Sequence, residues 1–233
     1  MLDGRRRQTA ILMLVPTALV GASLAGCTSS SSHGASAALS AAKGNSFSAS
    51  KLRGALLTRV NGVGASAAAA SGGYTAISTK VAAGQPASGA AKACVQATQT
   101  GLDSAVLTGA TAASVTFKVG SNDVSELIAA APGTSAASAL AGRLPASCAR
   151  YKATVDGKTV TYSVTESALT GIGKQAKVMN VTPAAAGSDA RWSLAYRGTG
   201  FVGAVTVAGP NASATAVRQL AQQAYAYAAK SLS

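Results

Sequence analysis

The segment RYKATVDGKTVTYSV, from Arg150 to Val164, contains the clearest supersecondary signal in the chain. Apolar and polar side chains alternate on both sides of Asp156-Gly157, a dipeptide that favours the tight turn of a β-hairpin. One face of this hairpin would be apolar and the other polar, which is typical of an antiparallel sheet that is covered on one side. The segment therefore predicts two adjacent antiparallel strands.

Other segments predict the elements that accompany the hairpin. Alternating patterns predict further strands at residues 74–81, 114–119, 177–182, 191–197 and 201–207. Apolar residues at helical spacing, with polar caps, predict helices at residues 50–60, 90–102, 121–131, 135–144 and from 210 towards the C terminus. Because helices and strands do not strictly alternate, we expect an α+β fold. Its antiparallel sheet would have about five to six strands, with helices packed on one face, including a C-terminal helix.

The N-terminal segment has the layout of a secretory signal. Residues 5–7 are arginines, residues 11–20 are apolar, and small residues precede Cys27. Residues 24–27, Leu-Ala-Gly-Cys, resemble the lipobox of bacterial lipoproteins, in which the cysteine thiol receives a diacylglycerol and becomes the first residue of the mature chain. An ordinary cleaved signal and a retained transmembrane segment are the alternatives. Pro16 and the lack of a cationic cluster after the cysteine favour the lipobox.

These features predict three regions. Residues 1–26 form a signal peptide that is removed, residues 27–48 form the lipidated cysteine and a flexible Ser/Ala-rich tether, and residues 49–233 form one globular domain. The single histidine, His33, lies in the tether, where it is not expected to act in catalysis or bind a metal. The protein would then be held at the outer face of the cytoplasmic membrane through the lipid on Cys27.

The charge of the chain predicts anionic partners. The net charge is +13, and it falls to +11 once the three arginines and one aspartate of the signal are removed. Such a domain is attracted to anionic lipid or to acidic cell-wall polymers. Nucleic acid is not expected, because no Lys/Arg run with interleaved aromatic residues is present and the location argues against it. Nothing in the sequence specifies a protein partner.

The remaining cysteines predict a disulfide. With Cys27 lipidated, Cys94 and Cys148 are left as a pair in an oxidising compartment. A crosslink over this separation would stabilise the fold by about 4 kcal/mol in the chain-entropy model. A metal site or a nucleophile is the alternative, although two isolated cysteines without a nearby histidine make a poor zinc site.

Patterns of enzyme chemistry are scarce. The segment GTGFVG at residues 198–203 matches G-x-G-x-x-G, but it lies between two predicted strands and therefore indicates a hairpin rather than a dinucleotide site. The domain has no histidine for a Ser-His-Asp or Cys-His arrangement, and it has few carboxylates for glycoside hydrolysis. No cofactor, metal or enzymatic activity is expected.

One group of residues has binding potential. Arg191, Trp192, Tyr196 and Arg197 could supply stacking and a cationic clamp for an anionic or amphiphilic ligand. The alternative is structural, because strand alternation places Trp192, Leu194 and Tyr196 on one face, as expected of a core.

The order of an anchor, a tether, a helix, a sheet with two cysteines and a C-terminal helix resembles actinobacterial surface lipoproteins. More narrowly, it is similar to the extracellular sensor domain of PknH-type receptor kinases. The features that carry this resemblance are Leu52 to Leu57 with a following Tyr74, Cys94 on a helix, and Cys148 opening the hairpin. Those sensor domains usually have two disulfides, whereas this chain can make one. The resemblance implies ligand sensing or binding in the cell envelope, with no catalytic residues to carry over.

We therefore expect a lipid-anchored envelope protein with a non-catalytic ligand-binding or sensor-like domain. The first alternative is an envelope lipid carrier with an apolar cavity. The second is a cell-wall hydrolase, which would require two acidic side chains that meet in a cleft.

Overall fold

The computed structural model describes residues 47–82, 90–155, 158–184 and 189–233. The chain divides into two compact units, residues 1–40 and 41–233, and every described residue belongs to the second unit. The predicted signal segment, Cys27, His33 and the Asp156-Gly157 turn lie outside the described residues.

The described residues form helices and strands in mixed order. The helices are α1 (Ala49–Gly54), α2 (Tyr74–Ala82), α3 (Ala90–Thr100), α4 (Gly133–Ala141) and α5 (Ala214–Ser231), with a 3₁₀ turn at Ala146–Cys148. The strands are β1 (Arg59–Val60), β2 (Val63–Gly64), β3 (Ala70–Gly73), β4 (Thr111–Val119), β5 (Asn122–Ala130), β6 (Arg150–Val155), β7 (Lys158–Leu169), β8 (Gln175–Pro183), β9 (Ala190–Arg197) and β10 (Phe201–Gly209). Within these ranges no helix is both long and apolar enough to span a membrane.

The sheet confirms the α+β class and the antiparallel arrangement. Strands β1 and β2 form a small pair, and the other eight strands form one sheet in the order β3-β4-β5-β10-β9-β8-β7-β6. All neighbouring strands are antiparallel, and the predicted hairpin is the pair β6–β7 at one edge. The sheet is larger than the predicted five to six strands, because β3 and β5 were not expected as strands.

The largest error of prediction concerns residues 121–131, which form strand β5 rather than a helix. This strand is central, between β4 and β10. Val124 and Ile128 pack into one core cluster, and Leu127 and Ala129 pack into another on the opposite side of the sheet. Because both faces are buried, apolar residues are not confined to alternate positions, and the strand pattern is lost.

Residues 74–81 form helix α2, although their weak alternation predicted a strand. Tyr74 and Ile77, three positions apart, are both buried in the same core cluster. This spacing places both side chains on one face of a helix, whereas a strand would direct them to opposite faces.

Helices cover both faces of the sheet, so the expectation of helices on one face is wrong. Helices α1 and α5 pack on what we call the first face, where their apolar residues join one core cluster. Helices α2, α3 and α4 pack on the second face. The predicted C-terminal helix is confirmed as α5, whose Val217, Leu220 and Ala224 are buried. The central strands of the eight-stranded sheet are therefore buried on both faces.

The packed domain begins before residue 49. Phe47 is buried in the same cluster as Leu52 of α1. Ser48 caps α1, because its hydroxyl accepts a 3.2 Å hydrogen bond from the N–H of Lys51. The sequence assigned Phe47 and Ser48 to the tether, whereas the structure places both in the folded domain.

The predicted disulfide is confirmed. Cys94 and Cys148 are bonded, with their Cα atoms 5.2 Å apart, and both are buried. The bond joins helix α3 to the 3₁₀ turn that precedes β6, on the second face of the sheet. It therefore fixes one end of the segment that leads from α4 to the hairpin.

Candidate functional site

The structure does not bring the four predicted ligand-binding residues together. Arg191 lies on the second face, under α3. Strand alternation along β9 places Arg197 on the same face. Trp192 and Tyr196 lie on the first face, packed in or against the cluster that includes α5. Because β9 is covered on both sides, strand alternation separates the two arginines from the two aromatic rings.

Arg191 has a structural role beneath α3. Arg191 is only 2% exposed. Its guanidinium donates two hydrogen bonds to α3, from Nη1 to Gln99 Oε1 at 3.2 Å and from Nη2 to Thr98 Oγ1. Burial lowers the pKa of the Arg191 guanidinium. Beside it, the hydroxyls of Ser193 and Thr206 donate to the backbone carbonyl of Gln99 at 3.0 and 2.6 Å. This buried network holds the end of α3 on the sheet.

Tyr196 is a core residue. It is 0% exposed, and its ring makes edge-to-face contacts with Phe201 and Tyr225, at centroid distances of 6.5 and 5.8 Å. Trp192 is half-buried at the margin of the same cluster. The core interpretation therefore describes Tyr196 fully and Trp192 in part.

A groove on the second face brings charged residues together. It lies where residues 142–145, which follow α4, pass over β7 and β8. Three adjoining cavities of about 250, 400 and 590 Å³ lie there, and Arg143 and Glu166 line all three. We call this region the Arg143 groove. It differs from the site that the sequence predicted.

Lys177 is the central charged residue of the groove floor. Lys177 is only 7% exposed. Its Nζ donates a 2.6 Å hydrogen bond to the carbonyl of Gly142 and lies 3.4 Å from Glu166 Oε1. The buried ammonium is therefore paired and hydrogen-bonded, as buried charges require. These contacts fix the segment after α4 to the sheet.

Asp103 forms the other wall together with the end of α3. Its Oδ1 accepts a 2.9 Å hydrogen bond from the N–H of Ala105, and its own N–H donates to the carbonyl of Ala139 at 2.8 Å. A Cβ on Gly142 would lie 2.6 Å from the Cβ of Asp103, so this close approach requires glycine. Asp103 and Glu166 both line the cavity of about 250 Å³.

The charges of the groove are unevenly distributed. Arg143, Lys174 and Lys177 line the largest cavity with the single carboxylate Glu166. In the smallest cavity, two cations face two carboxylates, Asp103 and Glu166. One end of the groove thus favours an anionic group, whereas the other can also accept hydrogen bonds from hydroxyl or ammonium groups.

Sequence reasoning did not find this groove, because its charged residues come from separate segments without a local motif. One signal was present in strand β8. Lys177 lies in the same alternating row as the buried Met179 and Val181. A buried lysine requires an acidic partner or hydrogen-bond acceptors, so a lysine at this position of the strand indicates a polar site on the second face.

Within the ranges that the structure covers, no group of three or more His, Cys, Asp or Glu side chains could hold a metal ion.

Comparisons with known proteins found little similarity. No protein-family profile matches the chain, and no curated protein matches it. Among solved structures, the chain is similar to the extracellular domain of PknH from Mycobacterium tuberculosis, with 12% sequence identity and a TM-score of 0.40 over 52% of this chain. The match spans 64% of that domain, which is less than two thirds of its length. We therefore argue the function from the residues of this chain.

Proposed function

We propose that this protein is a lipid-anchored cell-envelope protein whose domain binds a small polar, anionic ligand in the Arg143 groove. The observation that carries this proposal is the concentration of Arg143, Lys174 and Lys177 around a cavity of about 590 Å³. That volume is in the range of small-molecule sites. A domain that binds such a ligand without converting it would act as a receptor or sensor.

Two features of the chain support an extracytoplasmic location. The disulfide between Cys94 and Cys148 is of the kind that persists in oxidising compartments. The N-terminal sequence supplies the signal and the lipobox-like cysteine. Diacylglyceryl modification of Cys27 would be a sufficient anchor, because two acyl chains hold a protein durably. Replacing Cys27 with Ser should therefore release the protein from membranes, and its retention in the membrane fraction would contradict the anchor.

The ligand chemistry follows from the groove. Arg143 is exposed and can turn towards a carboxylate or phosphate with two parallel N–H donors. Lys174 is also exposed, at the edge of the largest cavity. Lys177 is already hydrogen-bonded to Gly142 and paired with Glu166, so it shapes the floor and contributes charge rather than a free donor.

Native mass spectrometry of protein purified from its own membranes tests the proposal. We expect a non-covalently bound small anion in the wild type and its loss in the double variant Arg143→Gln/Lys174→Gln. The control Arg218→Gln/Lys230→Gln removes two exposed cations from α5, away from the groove, and should keep the ligand. Identical spectra for the groove and control variants would contradict the proposal.

A wall-active hydrolase is the second candidate, because Asp103 and Glu166 both line one cavity. It would release soluble fragments from purified cell wall, and Glu166→Gln or Asp103→Asn would abolish that release while Asp123→Asn would not. The lipid carrier is less favoured, because charged side chains line each of the three cavities of the groove.

A further inference from the structure

Part of the first face of the sheet is not covered by any helix of the described residues. Helix α5 packs on β9 and β10, and α1 packs on β3, β4 and β5. On β6 and β7 the side chains that alternate with the buried Tyr151, Ala153 and Val160 are exposed or half-exposed. We call this surface the open face. It consists of Arg150, Lys152 and Thr154 on β6, Thr159, Thr161, Ser163, Thr165 and Ser167 on β7, and Asn180 and Thr182 on β8.

The open face is an array of hydroxyls with one amide, two cations and no carboxylate. Strand pairing places Arg150 beside Ser163, and Ser163 beside Thr182, while Lys152 lies beside Thr161. Same-face residues repeat about every 7 Å along a strand, and neighbouring strands are about 4.8 Å apart. The hydroxyl row on β7 therefore extends for about 27 Å. This length suits an extended polymer better than a compact ligand.

Trp192 borders this array. It is paired with Asn180 in the β8–β9 register, and it is half-buried against the core beneath α5. An aromatic ring with one buried and one accessible part can stack against the apolar face of a sugar ring while its neighbours form hydrogen bonds. The residue that the sequence suggested for stacking thus lies beside Asn180, on the face of β9 opposite to Arg191 and three strands from the cations of β6.

We propose that the open face binds an anionic polysaccharide of the cell envelope, with Arg150 and Lys152 contacting its acidic groups and the hydroxyls contacting its sugars. The charge complementarity is direct, because the open face carries two cations and no carboxylate. A membrane surface fits less well, since peripheral helices and loops that bind membranes insert apolar side chains, and the outward residues here are short and polar.

Cations on an edge strand also prevent edge-to-edge pairing, which gives Arg150 and Lys152 a structural explanation. That explanation does not extend to β7 and β8, which are paired on both sides.

The open face is also remote from the start of the domain. Phe47 and α1 lie near β4, six strand spacings or about 29 Å from β6. A polymer bound along β7 would therefore not contact Phe47 or α1, where the described domain begins.

The test uses the full chain with Cys27→Ser, so that no lipid anchor binds the vesicles, and three probes: polygalacturonate as a linear polyuronate, dextran as a neutral glucan, and vesicles of phosphatidylglycerol with phosphatidylcholine. Trp192 is the only tryptophan in the protein, so its fluorescence reports on the margin of the open face. We expect polygalacturonate to change the emission and to bind less tightly as salt is raised. Dextran should bind at least about tenfold more weakly.

The variant Arg150→Gln/Lys152→Gln should weaken polygalacturonate binding about tenfold, while Arg218→Gln/Lys230→Gln, with the same loss of charge on α5, should stay within about twofold. Thermal melting of each variant confirms that it is folded. An equal loss in both double variants, unchanged binding in Arg150→Gln/Lys152→Gln, or tighter binding to vesicles than to polygalacturonate would overturn the proposal.

Discussion

Glu126 Oε2 accepts a 2.8 Å hydrogen bond from the backbone N–H of Leu57, although 69 positions separate the two residues. Glu126 lies on the first face of β5 and is only 1% exposed. Burial raises the pKa of its carboxyl to about 8, against the opposing effect of the Leu57 hydrogen bond. Its Oε1 and the hydroxyl of Tyr196 have no hydrogen-bond partner within the described residues. The segment after α1 is thus held to the sheet by a carboxyl group that is mostly protonated at neutral pH.

This carboxyl should make stability depend on pH. Because the folded-state pKa of Glu126 is raised from 4.5 to about 8, the folded protein retains a proton that the unfolded chain has released. Its contribution to stability is full below pH 4.5 and is lost as the pH rises towards 8. Within that window, the free energy of unfolding should fall by about 1.4 kcal/mol per pH unit from this group alone.

The variant Glu126→Gln should remove this slope, and urea denaturation between pH 5 and pH 9 measures it. Asp123→Asn is the matched control, because Asp123 lies on the same strand with its side chain 72% exposed and paired with Lys118. We expect the control to keep the wild-type slope. A Glu126→Gln variant with the same pH dependence as the wild type would show that the carboxyl does not titrate in this range.

A second prediction concerns Gly203, which faces Tyr196 across the β9–β10 pair. A Cβ at Gly203 would lie 2.4 Å from Cζ of the Tyr196 ring, which is itself fully buried. Gly203→Ala should therefore lower the free energy of unfolding by about 2 kcal/mol through overpacking. Gly64→Ala is the control, since no atom lies within 4 Å of its added Cβ. Equal urea midpoints for the two variants would disprove the steric requirement.

The sequence identified the exposed hairpin and also β9 and β10, which are largely buried on both faces, but it missed the central strand β5. The β6–β7 hairpin alternates because Tyr151 and Ala153 are buried while Arg150 and Lys152 are exposed. Strand β5 has no such contrast, since cores lie on both sides of it. Its acidic residues also imitated the first turn of a helix, although Glu126 is buried in a strand.

The charged groove depends on contacts that no local pattern encodes. The hydrogen bond from Lys177 to the carbonyl of Gly142 joins residues 35 positions apart, and the residues between them include the hairpin. The disulfide, by contrast, was predictable, because Cys94 and Cys148 are the two cysteines that remain when Cys27 is assigned to the lipid. The number of cysteines is enough to predict the disulfide. The groove can be predicted only once the topology that brings its walls together is known.

A third prediction concerns this disulfide. Replacing both Cys94 and Cys148 with Ala should lower the free energy of unfolding by about 4 kcal/mol, because the crosslink restricts the unfolded chain over a separation of 54 residues. Urea denaturation of the variant and of the wild type, each with and without reductant, measures the effect. Reductant should destabilise the wild type and leave the variant unchanged. Detection of two free thiols in the unreduced wild type would refute the crosslink.

A final prediction separates structural from binding roles among the residues of β9. Arg191→Met should lower the free energy of unfolding by about 3 kcal/mol, because it leaves Gln99 and Thr98 without the guanidinium that they contact beneath α3. Trp192→Phe should cost about 1 kcal/mol or less, since the half-buried ring is replaced by another aromatic side chain.

Arg218→Met, on the exposed side of α5, is the control for loss of a cation and should change stability by less than about 0.5 kcal/mol. Urea denaturation and amide hydrogen exchange of α3 provide the two readouts. In Arg191→Met, exchange should accelerate in α3 before it does in α5, because the network anchors the end of α3 specifically. A destabilisation no greater than that of Arg218→Met would mean that the buried arginine does not hold α3 to the sheet, and its assignment as a ligand-binding residue would have to be reconsidered.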